Sequence, residues 1–159
     1  MNEEVMVGGH ISRQFDLELD EIRSRVLKMG GLVEAQLDKT LEALRDGDSE
    51  AIIDVEQLDR KVNALEMQID EECTQILAKR QPAAGDLRMI IATTKSVRDL
   101  ERIGDEAERV ANMVQHALDN DASVKAFKGL LSLGEHVKEL LHETLNTYAR
   151  MQTRSAVLN

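Results

Sequence analysis

Apolar residues recur every three or four positions over four long stretches of the chain, separated by short polar breaks. That spacing places them on one face of an α-helix. Phe15, Leu19, Ile22, Val26, Met29, Val33, Leu37, Leu41 and Leu44 mark a first helix over 12–45. A second, 49–79, carries Ile53, Leu58, Val62, Leu65, Ile69, Cys73 and Ile76. A third, about 87–118, carries Val97, Leu100, Gly104, Ala107, Ala111, Val114 and Leu118. This third seam is heptad-like, with small residues at its middle where a neighbouring helix can approach closely. A fourth helix carries Val124, Phe127, Leu130, Leu131, Val137, Leu141, Leu145 and Tyr148.

The breaks carry helix-end signals. "RDGDSEA" (45–51) ends the first helix, and Asp48 or Ser49 can cap the second. "KRQPAAGD" (79–86) is a turn in which Pro82 stops propagation and Asp86 can cap the third helix. "DNDAS" (119–123) is a loop. Gly30-Gly31 interrupts the first helix at a cost of about 1 kcal/mol per glycine relative to alanine, which close approach of a neighbour can offset.

Three long antiparallel helices with short connections predict an all-α, three-helix bundle. The fourth helix repeats the first. "MGGLVEAQLDKTLEAL" (29–44) and "LGEHVKELLHETLNTY" (133–148) match at Gly30/Gly134, Val33/Val137, Leu37/Leu141, Thr40/Thr144 and Leu41/Leu145, a constant offset of 104. With one added residue, "SEAIID" continues as "RSAVLN". The chain divides into a three-helix repeat over 10–118 and the opening of a second over 123–159, and the expectation is that it stops where the second helix of that repeat begins.

Composition narrows the function. The chain has 159 residues and a net charge of -10, with 42% apolar and only 2% aromatic residues. No basic patch of the kind a nucleic-acid binder needs is visible. An acidic surface suits cations or basic protein partners. Cys73 stands alone, which excludes an internal disulfide and suits a reducing cytoplasm. "MNEEVMVGGHISRQ" lacks the apolar core of a signal peptide, and no apolar run approaches the ~18 residues of a membrane span.

Beside the seam of the third helix runs a stripe of oxygen-bearing side chains: Glu101, Asp105, Glu108 and Asn112. Asp59, Asn63, Glu66 and Asp70 run beside the second at the same spacing of four, three and four. Folding the hairpin near Ala83 sets Glu101 level with about residue 65, so Asp59, Asn63 and Glu66 can approach Glu101 and Asp105. Only Asp105 has a base at i+4, Arg109; Glu66 is followed by Asp70 and Glu101 by Asp105. Like charges at that spacing repel. Two readings stand: a solvated charged face, or carboxylate ligands for a hard or borderline cation.

Other chemistry is sparse. His10, His116, His136 and His142 are scattered, and a di-iron bundle needs a second E-x-x-H beside Glu139-x-x-His142. Cys73 and the methionines lie on apolar faces and read as core. No phosphate-cradling glycine loop and no nucleophile–base arrangement is present, and nothing points to an enzyme.

"AKRQPAAGDLR" (78–88), followed by "DLERIGDEAERVAN" (99–112), resembles the PhoU family of bacterial regulators of phosphate transport and signalling. "HISRQFDLELDEIRSRVLKMGGLVEAQL" (10–37) and "QIDEECTQILAKRQPAAGDLR" (68–88) are similar to it as well. The resemblance implies two tandem three-helix repeats related by a pseudo-twofold axis. It implies acid-xxx-acid motifs that bind iron, zinc, nickel, manganese or magnesium. Carried over residue by residue, the ligands are Glu101 and Asp105, with Glu66 and Asp70 as the second pair and Asp59 and Asn63 one turn away. It further implies a cytoplasmic adaptor, often dimeric. Such an adaptor is a negative regulator that couples the ATPase subunit of the phosphate ABC transporter to a membrane-bound sensor histidine kinase. The second repeat's "ERIGD"-like motif is absent from this chain.

The rival expectation is a metal-free helical bundle with a structural or interaction role. The fourth helix raises its own question. Its apolar seam has no second-repeat helices to cover it, so either another copy of the chain covers it or the helix folds back on the first three.

Overall fold

The computed structural model describes residues 3–120 and 124–157, with side chains over 13–120, at 125 and over 127–151. The side chains of His10, Val124 and 154–159 lie outside these. Four α-helices follow in order: α1 (Glu3–Asp46), α2 (Ser49–Arg80), α3 (Ala84–Asp119) and α4 (Lys128–Val157), with a 3-10 turn at Val124–Phe127 before the last. α1, α2 and α3 pack on one another as a three-helix bundle, and α4 lies along α1. Among the described residues there is no strand.

Local chemistry sets the ends. Gly47, at φ 69°, closes α1 and donates its N–H to Ala43 O at 2.9 Å. Asp48 caps α2, its carboxylate accepting from Glu50 N at 2.9 Å. The next turn is tighter than the sequence suggests. Gln81 caps α2 in the left-handed region (φ 46°), Pro82 follows, and Ala83 is the extended N-cap of α3 with no side-chain cap. Asp86 sits inside the first turn, where its charge faces the positive end of the helix dipole instead of capping it. Arg80 reaches back across this end to Glu18 at 2.7 Å, and that hydrogen bond holds the Glu18 carboxyl below its ordinary range against the opposing effect of burial.

The first seam is buried as its spacing predicts, apart from half-buried Phe15, and so is the third apart from half-buried Leu118. The second is out of phase at its start. Ile53 is 53% exposed and Leu58 half-buried, while Ile52, Val55 and Asp59 face the core. The inward position between Val55 and Val62 belongs to a carboxylate, which breaks the apolar periodicity that the sequence reading followed. Cys73 is buried, and burial first, then the nearby Asp70 and Glu72 charges, push its thiol up to about 11. It is an inert core residue.

Gly30-Gly31 does not interrupt α1, which runs unbroken through both. A Cβ at Gly30 would collide with the Leu145 methyls of α4, whereas Gly31 faces open space. Gly134 of α4 is packed in the same way against Leu41 of α1. α4 therefore folds back on the first three helices, with Leu141 buried and Leu145 and Tyr148 packed on the core. Tyr148 lies beside Thr93, and burial raises its phenol above its ordinary range. The expected seam splits in two, because Leu130 and Val137 turn outward with Leu133 and Leu140. An apolar cleft of about 500 Å³ opens between Leu130, Leu133 and Val137 of α4 and Ile103 and Val110 of α3, floored by Leu41 and Leu44.

Where α1 meets its break at Gly47, the equivalent position of α4 is Met151, and the α4 backbone continues as helix through Val157. Leucine-like burial of the α1-facing residues contributes about 1.5–3 kcal/mol per side chain and holds the two helices together.

Candidate functional site

The turn at Gln81–Ala83 lays α2 and α3 antiparallel in the register expected from it. A Cβ on Gly104 would stand 3.6 Å from Val62 Cγ1, so the "ERIGD" turn of α3 lies over Val62–Glu66 of α2.

Beneath that contact is a polar layer in the core. Gln36, fully buried on α1, donates its amide to Asp59 Oδ1 on α2 at 3.1 Å and to Gly104 O on α3 at 3.0 Å. Asn63 donates to the other Asp59 oxygen at 2.9 Å. Thr40, one turn along α1, shares its hydroxyl between Gln36 O at 2.9 Å and Ala107 O at 3.2 Å. Gly104 has to be glycine here: a Cβ would stand 2.8 Å from Gln36 Oε1. Asp59 is 6% exposed and is held by neutral amides, with no ion pair to a base among the described residues. Two oxygens of the layer, Gln36 Oε1 and Asn63 Oδ1, are buried without a donor.

The sequence reading missed Gln36 and Thr40. Their signal is a second 3/4-spaced line on α1 (Met29, Val33, Gln36, Thr40 and Ala43), all at most 3% exposed. Two polar residues on that line mark a core position that must meet a polar partner.

Outside this layer lies the acidic face. Burial raises the Glu101 carboxyl, and the charges of Asp105, Glu66 and Asp59 add to it in that order. Burial likewise raises Glu108, followed by Asp59, Glu56 and Asp105, with Arg60 opposing. So the structure brings Glu101, Asp105, Glu66 and Asp59 into one electrostatic neighbourhood. Glu56 joins it at the Glu108 end. Asp70 is exposed one turn beyond Glu66 and lines a surface depression together with Glu66, Met67 and Glu71. Arg109, expected to neutralise Asp105, instead pairs with Glu106 at 2.8 Å. Arg102 lies 3.8 Å from Asp99. Both arginines turn to the solvent side and pair with Glu106 and Asp99, while Arg60 remains near Glu108 at the end of the acidic face. Asn112 is exposed.

The donor chemistry, all oxygen and mostly anionic, suits a hard cation. The geometry does not close around one. Among the described residues no three or more His, Cys, Asp or Glu side chains form a set that could hold a metal ion. Both Asp59 oxygens are already occupied by amides. His116, His136 and His142 stand on exposed faces away from the acids, and His142 pairs with Glu34.

The model of the PhoU domain matches residues 26–114, which take in about half of α1, all of α2 and most of α3. The chain belongs to the PhoU family. Among curated relatives of this PhoU-family chain, a phosphate-specific transport system accessory protein PhoU homolog from Pseudomonas aeruginosa is 45% identical over 148 residues, covering 93% of this chain and 61% of that protein. The phosphate-specific transport system accessory protein PhoU of Escherichia coli K12 is 40% identical, over 93% of this chain and 61% of that protein. The crystal structure of PhoU from Pseudomonas aeruginosa matches with a TM-score of 0.81 at 45% identity, covering 86% of this chain and 65% of that one. The chain thus spans about three fifths of the length of the curated relatives it matches. The family is one of accessory, non-enzymatic proteins. No helix among the described residues is long and apolar enough to cross a membrane.

Two expected outcomes follow from the polar layer and the acids above it. Gln36→Leu leaves Asp59 with one amide donor and severs the link to Gly104. It should lower stability by about 2–4 kcal/mol. Adding Asp59→Leu should return at least half of that loss, because the buried charge leaves with its partner. Urea unfolding of both variants measures this, and no recovery in the double variant would show that the layer is not a unit.

Glu101 and Glu108 have folded-state pKa values raised above 4.5, so the folded protein binds their protons more readily than the unfolded chain. Their destabilising effect is present in full above the folded pKa and fades as pH falls through it. Glu101→Gln with Glu108→Gln should raise Tm at neutral pH, and by progressively less as pH approaches 4.5. Melting curves across that range are the check; a gain independent of pH would mean that charge is not its cause.

Proposed function

We propose that this chain is a regulatory accessory component of phosphate uptake. In this reading it works in the cytoplasm as a negative regulator of phosphate-starvation signalling. It links the ATPase subunit of the phosphate ABC transporter to a sensor histidine kinase. The observation that carries the reading is the identity of 40–45% over 93% of the chain with relatives named for the phosphate-specific transport system. The net charge of -10 and the absence of a membrane-spanning helix among the described residues agree with a protein that meets the membrane only through partners. The exposed face of α4 suits pairing with a second copy, so the reading includes a homodimer. No catalytic step is part of it.

Deleting the full-length gene should raise a phosphate-starvation reporter in high phosphate. The purified chain, immobilised, should retain the ATPase subunit from solution, and light scattering should report two copies. A reporter that stays silent in a clean deletion would refute the regulatory role.

The same reading includes a carboxylate site for iron, zinc, nickel, manganese or magnesium. Glu66, Glu101 and Asp105 would supply its first ligands, with Asp59 and Asn63 behind them and Asp70 at its edge. Its support is the crowding of Asp105, Glu66 and Asp59 around Glu101, whose carboxyl is raised by burial and by those charges. A cation there would cancel mutual repulsion. A second reading, a metal-free helical interaction bundle, is favoured by the amides that already occupy Asp59. Metal analysis separates them. Glu101→Gln with Asp105→Asn should abolish cation uptake while leaving the helical signal unchanged, and equal metal content in both proteins would remove these residues from the site.

A further inference from the structure

α1 and α4 carry one twelve-residue frame in which two positions hold acids in α1 and basic residues in α4. "GGLVEAQLDKTL" (30–41) and "GEHVKELLHETL" (134–145) share their glycine, valine, central leucine, threonine and final leucine. The fifth position is Glu34 in one and Lys138 in the other; the ninth is Asp38 in one and His142 in the other.

The helices cross antiparallel, so each frame meets the other in reverse. Gly30 packs on Leu145, and Gly134 on Leu41. Glu34 meets His142, Oε1 to Nδ1 at 2.7 Å, and Asp38 meets Lys138 in an ion pair. A twofold interface has this contact pattern, in which one position meets another and the reverse holds across the axis. Here it joins two different helices.

The glycine–leucine fit is common to both frames. Both partners of that contact recur in each frame, so the glycine–leucine fit alone does not choose between the pairings. Charge does. In this geometry a pair of α1 helices would oppose Glu34 to Asp38 twice, acid against acid, and a pair of α4 helices would set Lys138 against His142 twice, leaving neither with a carboxylate. Only the mixed pair joins acid to base at both positions. One further contact, Arg45 to Glu135 at 3.1 Å, has the reverse polarity. It has no counterpart across the axis, because Gly31 stands where Glu135 would be matched.

We propose that Glu34, Asp38, Lys138 and His142 form a pairing code. The α1 face Gly30–Leu41 is a docking surface for the α4 helix of the same chain, and it disfavours a second α1. The partner it fits is a helix with a small residue, bases four and eight positions on, and leucine eleven on. This surface lies on the opposite side of α1 from the Gln36 layer and its acids, so the code stands apart from the regulatory reading.

The test is hydrogen exchange of the α4 backbone amides around Leu141–Tyr148 in the full chain. Glu34→Lys with Asp38→Lys should speed exchange there about tenfold, equivalent to about 1.4 kcal/mol. Lys138→Glu with His142→Glu should do the same from the other helix, which guards against a folding failure of either variant. The combined fourfold variant should return to within about twofold of the wild type. Unchanged exchange in the double variants would overturn the code, as would a fourfold variant no better protected than its parents. Either result would mean that apolar packing alone sets the pairing.

Discussion

One side-chain amide fixes how the three helices of the bundle are turned. Both N–H bonds of Gln36 are used inside the core, one on a carboxylate of α2 and one on a carbonyl of α3. Hydrogen bonds are directional where apolar contacts are not. A rotation of α2 or α3 that an aliphatic seam would tolerate therefore breaks one of these bonds and leaves a buried polar group unpaired. The glycine of α3 follows from this, since only a residue without a side chain lets the Gln36 oxygen lie against the helix. So does the acidic face. With Asp59 held inward at the start of its stripe, Glu66 and Glu101 are carried to the acidic face outside it, and their carboxylates crowd there.

Much of this architecture was legible in the sequence, and the parts that were not share a cause. Helix ends fell close to their signals at Gly47, Asp48 and Pro82, where backbone chemistry is local. The hairpin register held because equal rise per residue determines it once the turn is placed. The phase of α2 near Ile53 did not, because apolar periodicity assumes that inward positions are apolar, and Asp59 is inward through partners on α1 and on its own helix. Arg109 failed for a related reason. Two acids lie within its reach, and sequence spacing does not say which of them it turns toward. The candidate metal ligands were found as stripes, yet whether oxygens converge depends on rotamers and helix rotation, which spacing alone leaves open. The internal repeat was the most informative pattern, because matched glycines and leucines at one offset turned out to be matched contacts across an axis.

The long first helix serves two neighbourhoods at once. One side of α1 carries the polar layer and the core shared with α2 and α3; another carries α4. At 44 residues and about 1.5 Å per residue, α1 is on the order of 65 Å long. An interaction that shifts α4 along it acts on the same rod that holds Gln36, so the polar layer and the apolar cleft are joined by a single element and no flexible connection.

The poverty of aromatic residues has a practical side. The chain has no tryptophan and a single tyrosine, and that tyrosine is Tyr148. It projects from α4 onto the core beside Thr93, away from the acids and the hairpin turn. Near-ultraviolet absorption and intrinsic emission of the whole protein therefore come almost entirely from one ring, and that ring sits where α4 meets the bundle. The molecule carries its own optical probe of one contact: detachment of α4 would move the phenol from a desolvated pocket into water, while fraying far from the Tyr148–Thr93 contact would leave its spectrum largely unchanged.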